Sequence, residues 1–259
     1  MTSHSLNGRT IQSDETLFDI IEFIHGGENV GVTEIADGLE LSKSTVHGHL
    51  TSLRRRGYVV KTDDGYRLGM EFLNHGKQVQ TSYDLYSMAH EKVTQLAKET
   101  GERSWCMVEE NRMAYYLVGA EGDHPVHPPS RIGKSVHLHP RSAGKAILAH
   151  LPESKVRGII ERNGLPAETQ NTITSAEELF QELETVREQG YAINDSESLA
   201  GLYAIGAPII DAEDTVRGAL TISGPANRMK MDKKKEEVIE LLLGATNELE
   251  INLRNVETL

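Results

Sequence analysis

The chain has 259 residues, 39 acidic side chains against 27 lysines and arginines, and a formal charge of -12. That length admits one large domain or two smaller ones, and the 38% hydrophobic content is enough for ordinary cores, which excludes a disordered acidic tail. No apolar run approaches the roughly 18 residues of a membrane span, residues 1–13 lack a signal-peptide core, and the single cysteine, Cys106, excludes an internal disulfide and a multi-cysteine metal site.

A soluble cytoplasmic protein without a cofactor is expected. At face value the acidity speaks against a nucleic-acid partner. Its distribution does not. Residues 41–62 hold Lys43, Arg54, Arg55, Arg56 and Lys61 together with His47 and His49, and contain no acid at all.

Around that basic island the pattern is helical. Ser13 with Asp14 and Glu15 reads as a helix start. Leu17, Phe18, Ile20, Ile21 and Ile24 follow at helical spacing, and Gly26 and Gly27 stop the run. Thr33 reads as the cap of a short helix bearing Ile35, Ala36 and Leu39. Ser42 caps the next, in which Val46, Leu50 and Leu53 fall at i, i+4 and i+7 and face a core. That helix ends at Gly57. Two strand-like runs then flank Asp63-Asp64-Gly65, a hairpin turn.

The order helix, short helix, helix, hairpin predicts a winged helix-turn-helix over residues 13–72, after a flexible N-terminus at residues 1–12. A helix fits the major groove, and its N-terminal amides favour a phosphate. Lys43 is best placed for a phosphate near that end, and Ser42, Ser44, Thr45, His47 and Thr51 are placed to meet base edges or phosphates. Arg54, Arg55 and Arg56 at the helix end, with Lys61 and Arg67 of the wing, are placed to meet the DNA backbone. Acids at the wing tip argue against deep insertion of the wing.

Residues 83–100 carry Leu85, Met88, Ala89, Val93, Leu96 and Ala97 near a 3–4 spacing. They predict one linker helix within residues 73–100. It either braces the two domains or pairs with a second copy, giving a homodimer or tetramer on a palindromic double-stranded operator.

Residues 101–259 read as an α+β effector domain. Strands are expected over 104–109, 113–118, 202–210 and 216–223. Helices are expected over 143–151, 152–160, 176–189 and 233–253, with Ser175 capping and Gly190 stopping the third. No enzyme pattern appears. Gly133-Lys134-Ser135 looks like the end of a P-loop, but the required upstream glycine is Pro128. His124, His127, His137, His139 and His150 could bear on a divalent metal, but they lack a compelling ligand spacing, and hydrogen-bonded loop histidines are the simpler reading, so no metal is expected. A small-molecule pocket fits better. Arg141-Ser142-Ala143-Gly144-Lys145 opens a helix with small residues, Thr221 and Ser223 alternate on one strand face, and Asp195 lies in a polar loop. Such groups suit an acid that also carries hydroxyls. An enzyme built on a sensor fold, and a plain interaction module, are the competing classes.

The chain resembles the IclR family of transcriptional regulators. The resemblance rests on Leu41-Ser42-Lys43-Ser44-Thr45-Val46-His47, Tyr66-Arg67-Leu68-Gly69, Gly144-Lys145-Ala146-Ile147-Leu148-Ala149-His150-Leu151-Pro152, Gly190-Tyr191-Ala192-Ile193, Ala207-Pro208 and Ile222-Ser223-Gly224-Pro225, in that order. It implies a winged helix-turn-helix, a linker helix and a GAF-like effector domain, in dimers or dimers of dimers that control catabolic genes in response to small organic, sugar or aromatic acids. It also implies an effector pocket near Ser142, Ala143, Asp195, Ala204, Thr221 and Ser223. The chain departs from the family at Gly48, where arginine is usual, at Ala204, where cysteine is frequent, and in the thinned acidic run Asn194-Asp195-Ser196-Glu197. With 12 lysines and an acid excess, the composition also fits the salt-rich cytoplasm of a halophilic archaeon, where counterion release adds little affinity.

Overall fold

A computed structural model of the chain describes residues 10–123 and 130–256. The chain divides into two compact units, residues 1–79 and 80–259.

The first unit opens with α1 (Gln12–His25), which buries Ile20 and Ile24 and ends at Gly26, while Phe18 stays exposed. Its N-cap is Ile11 rather than Ser13. The Ile11 carbonyl accepts from the Asp14 and Glu15 N–H groups at 2.9 and 3.2 Å, so the first turn closes one residue before the serine. In α2 (Val32–Gly38) Thr33 likewise lies inside the helix, and Gly31 is the N-cap. Val30 exchanges two 2.9 Å backbone bonds with Tyr66, and this bridge sets where the chain can turn helical.

Helix α3 (Lys43–Arg55) follows the sequence closely. Ser42 Oγ accepts from the Thr45 N–H at 3.1 Å, and Val46, Leu50 and Leu53 are buried. Its C-terminus closes in a Schellman arrangement. Tyr58 N–H donates to Leu53 O at 3.0 Å and Gly57 N–H to Arg54 O at 3.1 Å, which needs the left-handed φ of +80° that Gly57 adopts. Strands β1 (Val59–Lys61) and β2 (Tyr66–Leu68) pair antiparallel, Val59 opposite Leu68. Val59 and Tyr66 complete the core formed by the three helices.

The expected single linker helix is two helices, α4 (Glu71–Thr81) and α5 (Leu85–Thr100). The physical reason is a change of face. Helix α5 buries Leu85, Ala89, Val93 and Leu96 at i, i+4, i+8 and i+11, whereas Leu73 and Val79 of α4 remain exposed. Tyr83 in the break donates its hydroxyl to Glu110, and burial together with that carboxylate pushes its pKa up to about 12.

Among the described residues of the second unit, six strands form one antiparallel sheet in the order β5-β4-β3-β8-β7-β6. They are β3 (Arg103–Glu110), β4 (Met113–Ala120), β5 (Ser135–Val136), β6 (Ala192–Asp195), β7 (Leu202–Ile210) and β8 (Val216–Pro225). Strands β5 and β6, short and partly polar, are absent from the sequence-based expectation. One sheet face packs on α5 and on α10 (Asp232–Val256), with the short α9 (Ala226–Met229) contributing Met229. The other packs on α6 (Ser142–His150), α7 (Glu153–Asn163) and α8 (Ala176–Gln189). The unit is therefore an α+β domain with helices on both sheet faces. Cys106 is fully buried in the α5/α10 layer, and burial raises its thiol pKa to about 12, leaving it inert.

Close approach of α6 to the sheet depends on Gly206. A Cβ there would lie 2.5 Å from Ala143 N and 2.6 Å from Ser142 C. The start of α6 therefore sits directly on β7, beside Thr221 of β8, and this places one helix N-terminus against the sheet floor.

Candidate DNA interface and effector cavity

Helix α3 presents Ser42, Lys43, Ser44, Thr45, His47 and Thr51 on its exposed side, and Arg54, Arg55 and Arg56 at its exposed end. Lys61 and Arg67 are exposed on the two wing strands. Among the described residues no carboxylate pairs with Lys43, Arg54, Arg55, Arg56 or Lys61. Their charge is available to an external anion. Ser42 Oγ lies 2.8 Å from both Ser44 Oγ and Thr45 Oγ1, and Thr51 Oγ1 donates to His47 O at 2.8 Å. The small hydroxyls at the helix start are thereby held in place. Gly48 is exposed, and a Cβ there would meet nothing within 4 Å.

The second unit contains a cavity of about 220 Å³ between the sheet and the start of α6. A cross-strand row forms part of its lining: Arg103 pairs with Ser223, Ser223 with Ala204, and Ala204 with Asn194. One step along on the same face, Trp105 pairs with Thr221. Ser142 and Ala143 of α6 close the opposite wall. Ser142 Oγ and Thr221 Oγ1 are hydrogen-bonded at 2.8 Å. Apolar lining comes from Trp105, Met107, Tyr116, Val136, Leu199 and Leu202, with Trp105 and Tyr116 in edge-to-face contact at 4.9 Å.

Among the described residues, three cations line this cavity, Arg103, Lys134 and Arg141, against one carboxylate, Glu168. Arg141 Nη2 donates to Glu168 Oε2 at 2.8 Å, and Arg103 Nη2 to Glu121 Oε1 at 2.5 Å. A lining of net positive charge, with hydroxyls and a helix N-terminus, is chemistry for an anion.

Within α6, Lys145 is only 2% exposed and contacts Glu182 and Glu197 at 2.7 Å each. Burial holds the Glu197 carboxyl above the ordinary glutamate range, although Lys145 pulls it down. The Glu197 N–H donates to Asn194 Oδ1 at 2.9 Å, so this buried ion cluster fixes a cavity-lining side chain.

Two family models match the chain. The model for the bacterial transcriptional regulator IclR C-terminal covers residues 77–250, and the IclR helix-turn-helix domain covers residues 17–63. The chain belongs to the IclR family. It is 32% identical over 249 residues to the probable HTH-type transcriptional regulator ArcR of Halobacterium salinarum, covering 95% of each chain. It is 31% identical over 222 residues to the HTH-type transcriptional regulator XynR of Escherichia coli, covering 85% of this chain and 88% of that one. The crystal structure of the Thermotoga maritima IclR aligns with a TM-score of 0.81 at 28% identity, over 94% of this chain and 99% of that one. As an IclR-family member the protein is a ligand-responsive, DNA-binding transcriptional regulator and not an enzyme.

Of the pocket residues implied by the IclR resemblance, the cavity brings together Ser142, Ala143, Ala204, Thr221 and Ser223. Asp195 is not among them. It follows Asn194 in β6, so its side chain takes the other sheet face, where it pairs with Lys230 at 2.7 Å. Sequence reasoning missed Arg103, Glu168, Asn194 and Trp105 as site residues, and it named Arg141 only as part of the small-residue helix start. Arg141 stands directly before the small-residue helix start, and its position there was the available signal.

The histidines divide. His139 is buried, with Nε2 3.2 Å from Pro166 O, and desolvation lowers its pKa to about 4. His137 is lowered by the same cause. His150 Nδ1 lies 3.0 Å from Ala146 O. His124 and His127 lie outside the described residues. Among the described residues no three metal-binding side chains converge, and no helix is long and apolar enough to cross a membrane.

Proposed function

We propose that this IclR-family protein acts in the cytoplasm as a homodimer or tetramer on a palindromic double-stranded operator, and that a small organic or sugar acid controls its hold on catabolic genes. Lys43 meets a phosphate at the start of α3, and Ser42, Ser44, Thr45, His47 and Thr51 meet base edges or phosphates. Further phosphates are met by Arg54, Arg55 and Arg56, with Lys61 and Arg67 of the wing. The second unit serves as a GAF-like effector domain. Its ligand occupies the cavity over β3, β8 and β7, held by Ser142, Thr221 and Ser223 and by the amide at Ala143.

The observation that carries this is the exposed cluster of cations on α3 and the wing, without acid partners among the described residues, in a chain of net charge -12. Random surface charge in so acidic a chain would be mixed. The test is selection of bound genomic fragments by the full-length protein, repeated with a panel of organic acids. Enriched fragments should share a two-fold-related repeat, and at least one acid should change their recovery. Recovery without sequence preference, or untouched by every acid, contradicts the proposal.

A further inference from the structure

Resting on the reading that the effector occupies the cavity beside α6, we propose that Arg141 anchors the effector's carboxylate, and that Glu168 holds that anchor as an internal competitor until the ligand displaces it. The geometry at Arg141 is half-filled. Its Nη2 donates to Glu168 at 2.8 Å, while Nη1 is buried and, among the described residues, has no hydrogen-bond partner. A guanidinium offers a planar fork that a carboxylate fills with two parallel bonds. Glu168 takes one of them. A buried donor left without an acceptor is a cost that a second oxygen relieves.

The occupant that must leave is itself a carboxylate, and Arg141 and Glu168 both line the cavity. The anchor is therefore shaped for the group a carboxylic acid brings. The exchange needs only a side-chain swing. The Glu168 and Thr169 N–H groups both donate to Thr172 Oγ1, at 3.0 and 2.9 Å, and Thr172 Oγ1 donates to Glu197 O at 2.6 Å. The backbone behind Glu168 thus stays fixed while its carboxylate moves. The cavity, at about 220 Å³, lies below the roughly 300–1,000 Å³ of ordinary ligand pockets, which restricts the ligand to a compact acid.

The chain's one tryptophan, Trp105, lines the cavity and reports occupancy directly. Trp105 fluorescence of the full-length protein is titrated with lactate, benzoate and succinate, with lactamide and benzamide as uncharged matches, and with inorganic phosphate. At least one acid should bind. Glu168→Gln should tighten that acid by about three- to tenfold, because the competing ion pair is gone. Arg141→Gln should weaken it by about tenfold or more, and Arg141→Lys by less. Amides and phosphate should leave the signal flat.

An unchanged affinity in Glu168→Gln overturns the proposal, and because that variant removes only a partly exposed charge it carries the test even if Arg141→Gln fails to fold. Silence of all three acids in both the parent and Glu168→Gln, or equal binding of an acid and its amide, overturns it too. Acid binding that survives Arg141→Gln but is lost in Ser223→Val removes the Arg141 anchor and keeps the cavity. Acid-dependent operator release with unchanged Trp105 fluorescence removes the cavity itself.

Discussion

Asn194 and Asp195 are adjacent in β6 and serve opposite faces of the sheet. Asn194 is 1% exposed and lines the cavity, whereas Asp195 is half exposed and pairs with Lys230 at 2.7 Å. Asn194 also accepts from the Glu197 N–H and donates to Ser198 Oγ at 2.7 Å. Asp195→Asn should leave the ligand response intact and cost about 0–1 kcal/mol, the usual range for an exposed pair. Asn194→Ala should weaken ligand binding and destabilise the fold by about 1–3 kcal/mol through the orphaned Glu197 amide. Ligand titration and chemical denaturation of both variants separate them. A ligand defect confined to Asp195→Asn would sink this assignment.

Lys145 lies under the cavity with Glu182 and Glu197 as partners. Lys145→Met would leave Glu197 buried without its cation, and removal of one partner of a buried pair costs about 3–5 kcal/mol. The double change Lys145→Met with Glu197→Leu should recover much of that loss, because no charge then remains buried. Denaturant melts would show it. A loss below about 1 kcal/mol in the single variant would mean that water reaches the cluster.

His139 gives a pH dependence of definite sign. Its pKa is lowered by burial from 6.5 to about 4 in the folded protein. The folded state favours the neutral ring, so this stability is fully present above about pH 6.5 and is lost as pH falls toward 4. His139→Asn should flatten the stability curve of the parent between those values. Identical slopes for the two proteins in urea melts at pH 7, 6, 5 and 4.5 would contradict the burial argument.

Gly48 costs helix propensity in α3 with no packing in return, since a Cβ there meets nothing within 4 Å. Gly48→Ala should raise stability by about 0.5–1 kcal/mol. Thermal melting of the DNA-free protein measures this. A lower melting temperature would mean that an unrecognised contact requires glycine.

Legibility in the sequence followed local physics. Helix α8 could be bounded from Ser175, which accepts from the Glu178 N–H, and from Gly190 at φ +81°. Strand β7 stood out as an apolar run over Leu202–Ile210. In α3, the Ser42 cap and the spacing of Val46, Leu50 and Leu53 were sufficient. What escaped depended on distant partners. Strand β6 is short and polar and exists because β7 pairs with it, Asn194 opposite Ala204. Without that pairing the parity of Asp195 cannot be assigned. Arg103 and Glu168 carried no local sign of a site, because only the fold brings them to the cavity beside the start of α6. The start of α1 shifted from Ser13 because Ile11 supplied its carbonyl to the first turn.

The most direct measurement is operator affinity at one fixed salt concentration for the parent and for Lys43→Ala with Arg54→Ala. Far-UV circular dichroism of the variant confirms that α3 is intact. Both side chains are exposed on that helix, without acid partners among the described residues. The variant should bind at least about tenfold more weakly, and the slope of log affinity against log salt should fall by about one for each lost phosphate contact. Unchanged affinity and slope in a folded variant would contradict the assignment of α3 as the DNA-reading helix.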